Sequence, residues 1–335
     1  MPVVPQSTYR SPAWLRGAHA QTIVPALFRH VPMVTTERER IELADGDFLD
    51  AQWAITPNSK RLAILSHGLE ASPRSEYIQG IAETLHQLGW SVMAWNFRGC
   101  GGTPNRLLRM YHSGATEDLI AIIQHAMQRF PNSLIDLVGF SLGGNLTLKY
   151  LGETPASLPP AIHRAAAISV PCDLACASRT LATPSNWLYM RRFMRKMQAR
   201  IRRKAIEFPG QIDLTGIDAM RTFAEFDDRY TAPIHGFLNA EDYWQKCSSK
   251  PHLTKIKHPT LLLTARNDPF LGPDCYPFDE ANENPFLFFE APAEGGHVGF
   301  PGDSLLGENW MERRVVEFLA APDPHIAIGK SQPSA

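Results

Sequence analysis

The sequence lacks the features that would send a chain into or through a membrane. No apolar stretch approaches the roughly 18 residues that a membrane-spanning helix needs. Residues 1–10 have neither the charged start nor the apolar centre of a secretory signal peptide. The sequence therefore predicts a cytoplasmic protein.

The chain also has almost no net charge and no cysteine pattern typical of a metal site. The 335 residues carry 33 Lys and Arg against 34 Asp and Glu, a formal net charge of −1, so no nucleic acid partner is expected. Five cysteines are scattered along the chain, and the close pair Cys172 and Cys176 is followed by no second pair of zinc ligands. The glycine-rich segment 99–102 lacks the G-K-[ST] of a phosphate loop. We therefore expect neither a metal nor an organic cofactor.

The most informative segment that is present is GFSLG at 139–143, with Ser141 at its centre. It joins an apolar run, 134–140, to a helical pattern, 143–152. A strand, a sharp turn and a helix around such a serine form the G-x-S-x-G nucleophile elbow. Glycines flank the serine because strand and helix nearly touch there and a Cβ would clash. The segment predicts a serine hydrolase.

An elbow serine requires an acid and then a histidine later in the chain. Asp268 directly follows the apolar run 259–264, which predicts a buried parallel strand. His297 follows paired glycines in a loop near the C-terminus. Asp242 and Asp274 lie nearby as alternative acids, but order and position favour Asp268. Asp268 and His297 are thus the predicted partners of the serine.

These side chains predict a division of roles. His297 would take the proton of the Ser141 hydroxyl as general base, and Asp268 would hold the imidazole in the required tautomer. The oxyanion would need backbone N–H donors, predicted at Leu142, after the nucleophile, and at Leu69, in the loop after the strand 61–66.

His67 and Glu70 flank that second donor. His67 is a conceivable second base, but packing of the loop is the interpretation we favour. Glu70 is an acidic side chain beside the predicted oxyanion hole. It could shape substrate choice, but we expect it to point to solvent.

Together these motifs resemble the α/β-hydrolase superfamily. Further segments resemble its YheT-like branch, which includes bacterial predicted hydrolases and eukaryotic medium-chain ester hydrolases and acyltransferases. They are GAHAQT at 17–22, NFRGCGG at 96–102, YHSGATED at 111–118 and DDRYTAP at 227–233. The resemblance covers nearly the whole chain. It implies the α/β-hydrolase fold, charge-relay roles for Ser141, Asp268 and His297, and a pairing of Arg98 with Asp118. Glu70 departs from the small polar residue expected at its position.

The order of elements predicts the same fold class. Alternating strand and helix patterns follow an N-terminal hairpin and predict a mostly parallel, doubly wound sheet. The alternation stops between 171 and 248, which predicts an inserted helical cap. The expected organisation is a core of 1–170 and 249–321, the cap at 171–248, and a disordered tail at 322–335.

The centre of the predicted cap is an amphipathic helix. Its apolar side chains recur at helical spacing from Met190 to Ala205, and the segment 186–208 carries eight Lys or Arg residues and one Glu. Two interpretations stay open. The apolar face packs only against the cap, or its Met194 and Met197 also bind an acyl chain. The basic face is either solvated or contacts an anionic lipid surface.

The sequence thus predicts a carboxylic ester hydrolase for short- to medium-chain acyl groups, acting on a small-molecule acyl ester through an acyl-enzyme on Ser141. An acyltransferase is the alternative within this chemistry, because it shares the acyl-enzyme and passes the acyl group to an alcohol. A ligand-binding protein on a hydrolase scaffold is the alternative from another class.

Overall fold

The computed structural model, which describes residues 3–322, contains one eight-stranded β-sheet with helices on both faces. Its strands are β1 (Glu37–Glu42), β2 (Phe48–Ala54), β3 (Arg61–Ser66), β4 (Ser91–Trp95), β5 (Leu134–Phe140), β6 (Ile162–Ile168), β7 (Thr260–Leu263) and β8 (Leu287–Glu290). The strand order is β1-β2-β4-β3-β5-β6-β7-β8. β2 pairs antiparallel with β1 and β4, and every other pairing is parallel. The predicted mostly parallel sheet and its N-terminal hairpin are confirmed.

The helices divide between the sheet and one long insertion. Those of the core are α1 (Ala18–Phe28), α2 (Glu76–Gln87), α3 (Thr116–Arg129) and α4 (Leu142–Glu153), with α10 (Phe278–Glu283) and α11 (Trp310–Ala320) near the end. Those of the insertion are α5 (Leu174–Leu181), α6 (Trp187–Glu207), α7 (Phe223–Phe226), α8 (Ala232–His235) and α9 (Ala240–Cys247). A π-helix, Asp227–Thr231, joins α7 to α8.

The central strands are apolar on both faces because both faces are covered. Along β3, Leu62 and Ile64 belong to a buried cluster with side chains of α3 and α4. Ala63 and Leu65 belong to a second cluster with side chains of α2 and α11. Successive side chains of a strand point to opposite faces, so this uninterrupted apolar run marks a strand between two helical layers.

The insertion between β6 and β7 contains helices joined by loops, and no strand, within the described residues 169–259; we call its residues 171–248 the cap segment. Its apolar side chains form a third buried cluster, to which Met190, Met194 and Met197 of α6 contribute. Among residues 3–322, no helix has the length and hydropathy that crossing a membrane requires. The tail predicted at 322–335 lies, from residue 323 on, outside the described residues.

Candidate active site

Ser141 lies at the turn between β5 and α4, in a backbone conformation that non-glycine residues rarely adopt. Its φ is 52° and its ψ is −117°. A Cβ on Gly139 would lie 2.3 Å from the carbonyl oxygen of Gly143, and a Cβ on Gly143 would lie 2.3 Å from that of Ser66. Only glycine fits at either position, so the chain can make this tight turn and present the serine hydroxyl above the sheet.

The structure brings the predicted serine, histidine and acid into one hydrogen-bonded series. Ser141 Oγ lies 3.1 Å from His297 Nε2, and His297 Nδ1 lies 2.8 Å from Asp268 Oδ2. The Asp268 side chain is fully buried, and its Oδ1 accepts a hydrogen bond of 2.9 Å from the amide of Phe270. The Phe270 ring packs on the imidazole, with 4.1 Å between ring centroids. Both edges of the imidazole and one of its faces are therefore fixed. Of the alternative acids, Asp242 pairs with Lys246 on α9.

Helix α1 supports the histidine loop, a role that the sequence reasoning missed. The hydroxyl of Thr22 accepts a hydrogen bond of 2.9 Å from the His297 amide. The side chain of Gln21 accepts from the Gly295 amide and from Asn267, both at 2.9 Å. Gln21 and Thr22 end the segment GAHAQT, whose resemblance to a known family was the only signal of importance.

The two predicted oxyanion donors are the backbone amides of Leu69 and Leu142. Leu142 begins α4, where the first N–H groups of a helix have no partner within it. Next to Leu69, the Gly68 amide donates to Tyr77 Oη at 3.0 Å, and the Glu70 amide donates to Tyr111 Oη at 3.2 Å. The amides on either side of Leu69 are thus engaged, which leaves the Leu69 N–H as the donor that this loop offers.

His67 packs the oxyanion loop, which agrees with the interpretation favoured from the sequence. Its Nε2 accepts a hydrogen bond from the Phe97 amide at 3.3 Å, so its Nδ1 carries the proton and donates to the Gly68 carbonyl at 2.8 Å. Burial lowers the pKa of His67 to about 4 and keeps the ring neutral. Because the Gly68 carbonyl and the Leu69 N–H belong to one peptide group, His67 orients the predicted donor.

The expectation that Glu70 points to solvent is wrong. Its side chain is only 7% exposed and forms an ion pair with Arg200 of α6. Both carboxylate oxygens accept from that guanidinium at 3.0 Å, and Tyr111 Oη donates to one of them at 2.8 Å. An acidic side chain is tolerated beside the oxyanion loop because the half-buried Arg200 neutralises it.

Two cavities meet at Ser141. The first, about 120 Å³, lies under the cap segment and is lined mainly by apolar side chains of α5, α6 and α7, together with Leu142. The second, about 430 Å³, lies between α1 and α6 and is lined by His297, Arg192 and Lys196 among others. Leu69 and Phe270 border both cavities.

Helix α6 lines both cavities, and its two predicted ligand-binding methionines differ in position. Met197 lines the first cavity. Met194 is buried in the cluster of the cap segment and is not among the side chains that line either cavity. The neighbouring Phe193 borders both cavities.

The pairing of Arg98 with Asp118, implied by family resemblance, is present. Arg98 Nη2 lies 2.6 Å from Asp118 Oδ1, and Arg98 Nη1 lies 2.9 Å from Asp47 Oδ2. This buried network ties the loop after β4 to α3 and to the turn of the hairpin. It has a structural role.

A family model described as the α/β hydrolase fold matches residues 64–303, and the chain belongs to this family. YheT of Escherichia coli (strain K12), whose name describes an esterase, is 36% identical over 309 residues, covering 90% of each chain. Phospholipase ABHD3 of Mus musculus is 29% identical over 334 residues, covering 97% of this chain and 80% of that protein. The predicted family, its YheT-like branch and its fold are confirmed.

More distant matches agree. Monoacylglycerol lipase of Saccharomyces cerevisiae is 28% identical over 284 residues, covering 82% of this chain and 62% of that protein. Among solved structures, the Pyrococcus furiosus esterase Pf2001 matches with a TM-score of 0.55 at 20% identity, over 87% of this chain and 97% of that one. At that identity the likeness shows the fold alone.

Proposed function

We propose that this protein is a serine esterase that hydrolyses carboxylic esters through an acyl-enzyme on Ser141. The hydrogen-bonded series from Ser141 through His297 to Asp268, placed where two cavities meet, carries this proposal. The names of the relatives YheT, ABHD3 and the yeast lipase, which describe an esterase, a phospholipase and a lipase, support ester hydrolysis.

In the proposed mechanism, His297 Nε2 removes the proton of Ser141 as its oxygen attacks the ester carbonyl. The Asp268 carboxylate accepts a hydrogen bond from the Nδ1–H of His297 and stabilises the imidazolium that forms. The amides of Leu69 and Leu142 donate to the oxyanion. The imidazolium then protonates the alcohol as it leaves. Water, activated by the same imidazole, releases the acid and restores the serine.

The two cavities hold different parts of the substrate. Since His297 must protonate the leaving alcohol, that alcohol belongs in the larger cavity, which His297 lines. The acyl group then enters the smaller cavity beside Leu142 and Met197. A cavity of about 150 Å³ holds benzene, so one of about 120 Å³ fits an acyl group of roughly four to six carbons. We therefore infer short acyl chains joined to alcohols that are larger than the acyl group.

An acyltransferase is the second candidate, and the size of the larger cavity favours keeping it. A space of about 430 Å³ next to His297 admits an alcohol as readily as a water molecule.

The division into a core and a cap at 171–248 and the cytoplasmic location also stay predictions.

The decisive experiment combines covalent labelling with turnover. We expect a fluorophosphonate probe to label the purified protein, and p-nitrophenyl esters of two to sixteen carbons to be hydrolysed, with a maximum at short chains. Ser141→Ala should abolish both, and Asp268→Asn should lower kcat about 10⁴-fold. Transfer products formed with added alcohol would identify an acyltransferase. If the unmodified protein were neither labelled nor active, the ligand-binding alternative would replace this proposal.

We further infer that the entrance of the larger cavity contacts anionic lipid. Trp187 and Leu188, at the start of α6, are 58% and 52% exposed, and Leu27 of α1, which borders the same cavity, is 56% exposed. Exposed arginines follow on α6. An apolar rim with adjacent cations suits a surface that presents acyl chains beneath anionic head groups.

A further inference from the structure

Glu70 and Arg200 connect the oxyanion loop to the cap segment. The contact is two-pronged, with Arg200 Nε on Oε1 and Nη2 on Oε2, both at 3.0 Å. This planar fork is the most specific geometry available to an ion pair. The side chains are only 7% and 18% exposed, so solvent screens their attraction little. Glu70 directly follows Leu69, the predicted oxyanion donor.

The backbone of Glu70 is also held from α6. Lys196 Nζ donates to the Glu70 carbonyl oxygen at 2.8 Å. Lys196 and Arg200 are four residues apart and therefore lie on one face of the helix. Glu70 has a φ of 53°, a conformation that costs a non-glycine residue free energy and persists only where surrounding contacts fix it. One turn of α6 supplies two of those contacts.

The Arg200 guanidinium borders the smaller cavity, but each of its three nitrogens donates within the protein. Nε and Nη2 donate to Glu70, and Nη1 donates to the Gly99 carbonyl oxygen at 2.8 Å. The guanidinium also lies over the ring of Tyr111, 5.2 Å from its centroid. Tyr111 Oη accepts a hydrogen bond from the Glu70 amide. Arg200 therefore supports Glu70 directly at its carboxylate and, through Tyr111, at its amide.

The remaining supports of the loop come from the core. His67 fixes the Gly68 carbonyl, and Tyr77 fixes the Gly68 amide. The Leu69 peptide is thus held on one side by residues of the core and on the other by α6. Loss of the contacts from α6 would leave a strained residue and a carboxylate without its cation directly after the donor, and the loop would relax away from its observed conformation.

We propose that Arg200 is a positioning residue that, through Glu70, holds the Leu69 N–H in place for the oxyanion, so that turnover depends on the seating of α6. This inference rests on the proposed esterase function. It assigns to the cap segment a part in the chemical step in addition to lining a cavity.

The test compares Arg200→Gln, Arg200→Lys and Glu70→Gln in the full-length protein, with p-nitrophenyl butyrate as substrate. Loss of one oxyanion donor lowers kcat by about 10²–10³, so Arg200→Gln should approach a loss of about 10² with KM within about twofold. Arg200→Lys keeps the positive charge but not the two-pronged geometry, so its kcat should lie between those of the unmodified protein and Arg200→Gln. The control is Arg202→Gln, on the same helix as Arg200, which removes an exposed pairing with Asp218 of a neighbouring turn and should leave kcat unchanged.

A double-mutant cycle separates positioning from general weakening of the fold. If Arg200 acts through Glu70, Glu70→Gln should lower kcat little further once Arg200 is already Gln. Circular dichroism and thermal melting confirm that each variant is folded. A rise in KM at unchanged kcat, or additive losses in the double variant, would overturn the inference. An unmodified protein without esterase activity would overturn the proposed function itself, and this inference with it.

Discussion

At the scale of the residue, the backbone decides more than the side chains around Ser141. Leu69 supplies the N–H that we propose as an oxyanion donor, Gly139 and Gly143 contribute the absence of a Cβ, and His67 contributes the orientation of one peptide group. The Leu69 side chain borders both cavities, so its packing and its amide can be separated by substitution.

Leu69→Pro removes the proposed donor, and kcat should fall about 10²–10³-fold as a result. Leu69→Ala keeps the N–H and should change kcat only modestly, which makes it the control. Stopped-flow or steady-state hydrolysis measures both, with thermal melting to verify folding. Near-native kcat in a folded Leu69→Pro variant would contradict the assignment. The Glu70 amide, already bound to Tyr111, is then the next donor to examine.

Prediction from the sequence was accurate for Ser141, Asp268 and His297 as neighbours in space, because an elbow, a strand end and a glycine pair each mark a position. It failed for Glu70, whose partner Arg200 is 130 positions away along the chain. Nothing near Glu70 in the sequence indicates that a cation will cover it.

At the scale of the element, α1 shows how a helix outside the sheet supports the site. Its Gln21 and Thr22 hold the loop of His297. The helix was not predicted because Pro25 lies inside it and the surrounding pattern is weakly amphipathic. The strands predicted at 61–66, 134–140 and 259–264, by contrast, match β3, β5 and β7 to within one residue at each end, since buried parallel strands are continuous apolar runs.

Thr22→Val keeps the shape of the side chain but removes the acceptor of the His297 amide. We expect kcat to fall about tenfold, equivalent to about 1.4 kcal/mol of barrier, as the imidazole loses its alignment. The free energy of unfolding should fall by about 1–3 kcal/mol, because a buried donor is left unpaired. Thr22→Ser retains the hydroxyl and should stay close to the unmodified protein in both measurements. An unchanged kcat in the valine variant would show that the loop holds itself.

At the scale of the whole molecule, a net charge of −1 conceals a strongly basic helix. On α6, Lys196, Arg200 and Lys204 bond to loops of the core, whereas Arg191, Arg192 and Arg195 are exposed. Composition predicted no polyelectrolyte partner, and only the folded arrangement shows which cations face outward. The basic face is thus partly structural, which the sequence alone could not decide.

Replacing Arg191, Arg192 and Arg195 with Gln should weaken binding to phosphatidylglycerol vesicles. Each cation near an anionic surface is worth about 1 kcal/mol, so the triple variant should bind roughly 100-fold more weakly. Vesicle sedimentation measures the affinity, with phosphatidylcholine vesicles as the uncharged comparison.

A matched control removes three exposed cations far from the cavities, namely Arg38, Lys60 and Lys257. Lys60 and Lys257 precede β3 and β7, at the amino ends of the parallel strands, whereas Ser141 lies at their carboxyl ends. Equal losses in the two triple variants would show that net charge, rather than the surface of α6, governs lipid contact.

The position of the cap segment in the chain bears on how such proteins diversify. β6 and β7 pair directly, from Ala165 with Thr260 to Ile168 with Leu263, although the whole cap segment intervenes. Closing a longer loop costs little, since each doubling of its length adds only about 0.6 kcal/mol. Insertions and deletions there leave the strand register and the reacting groups intact. A changed cap can therefore bring new substrates to the same Ser141, His297 and Asp268, provided that it again supplies the contact that Arg200 makes with the oxyanion loop.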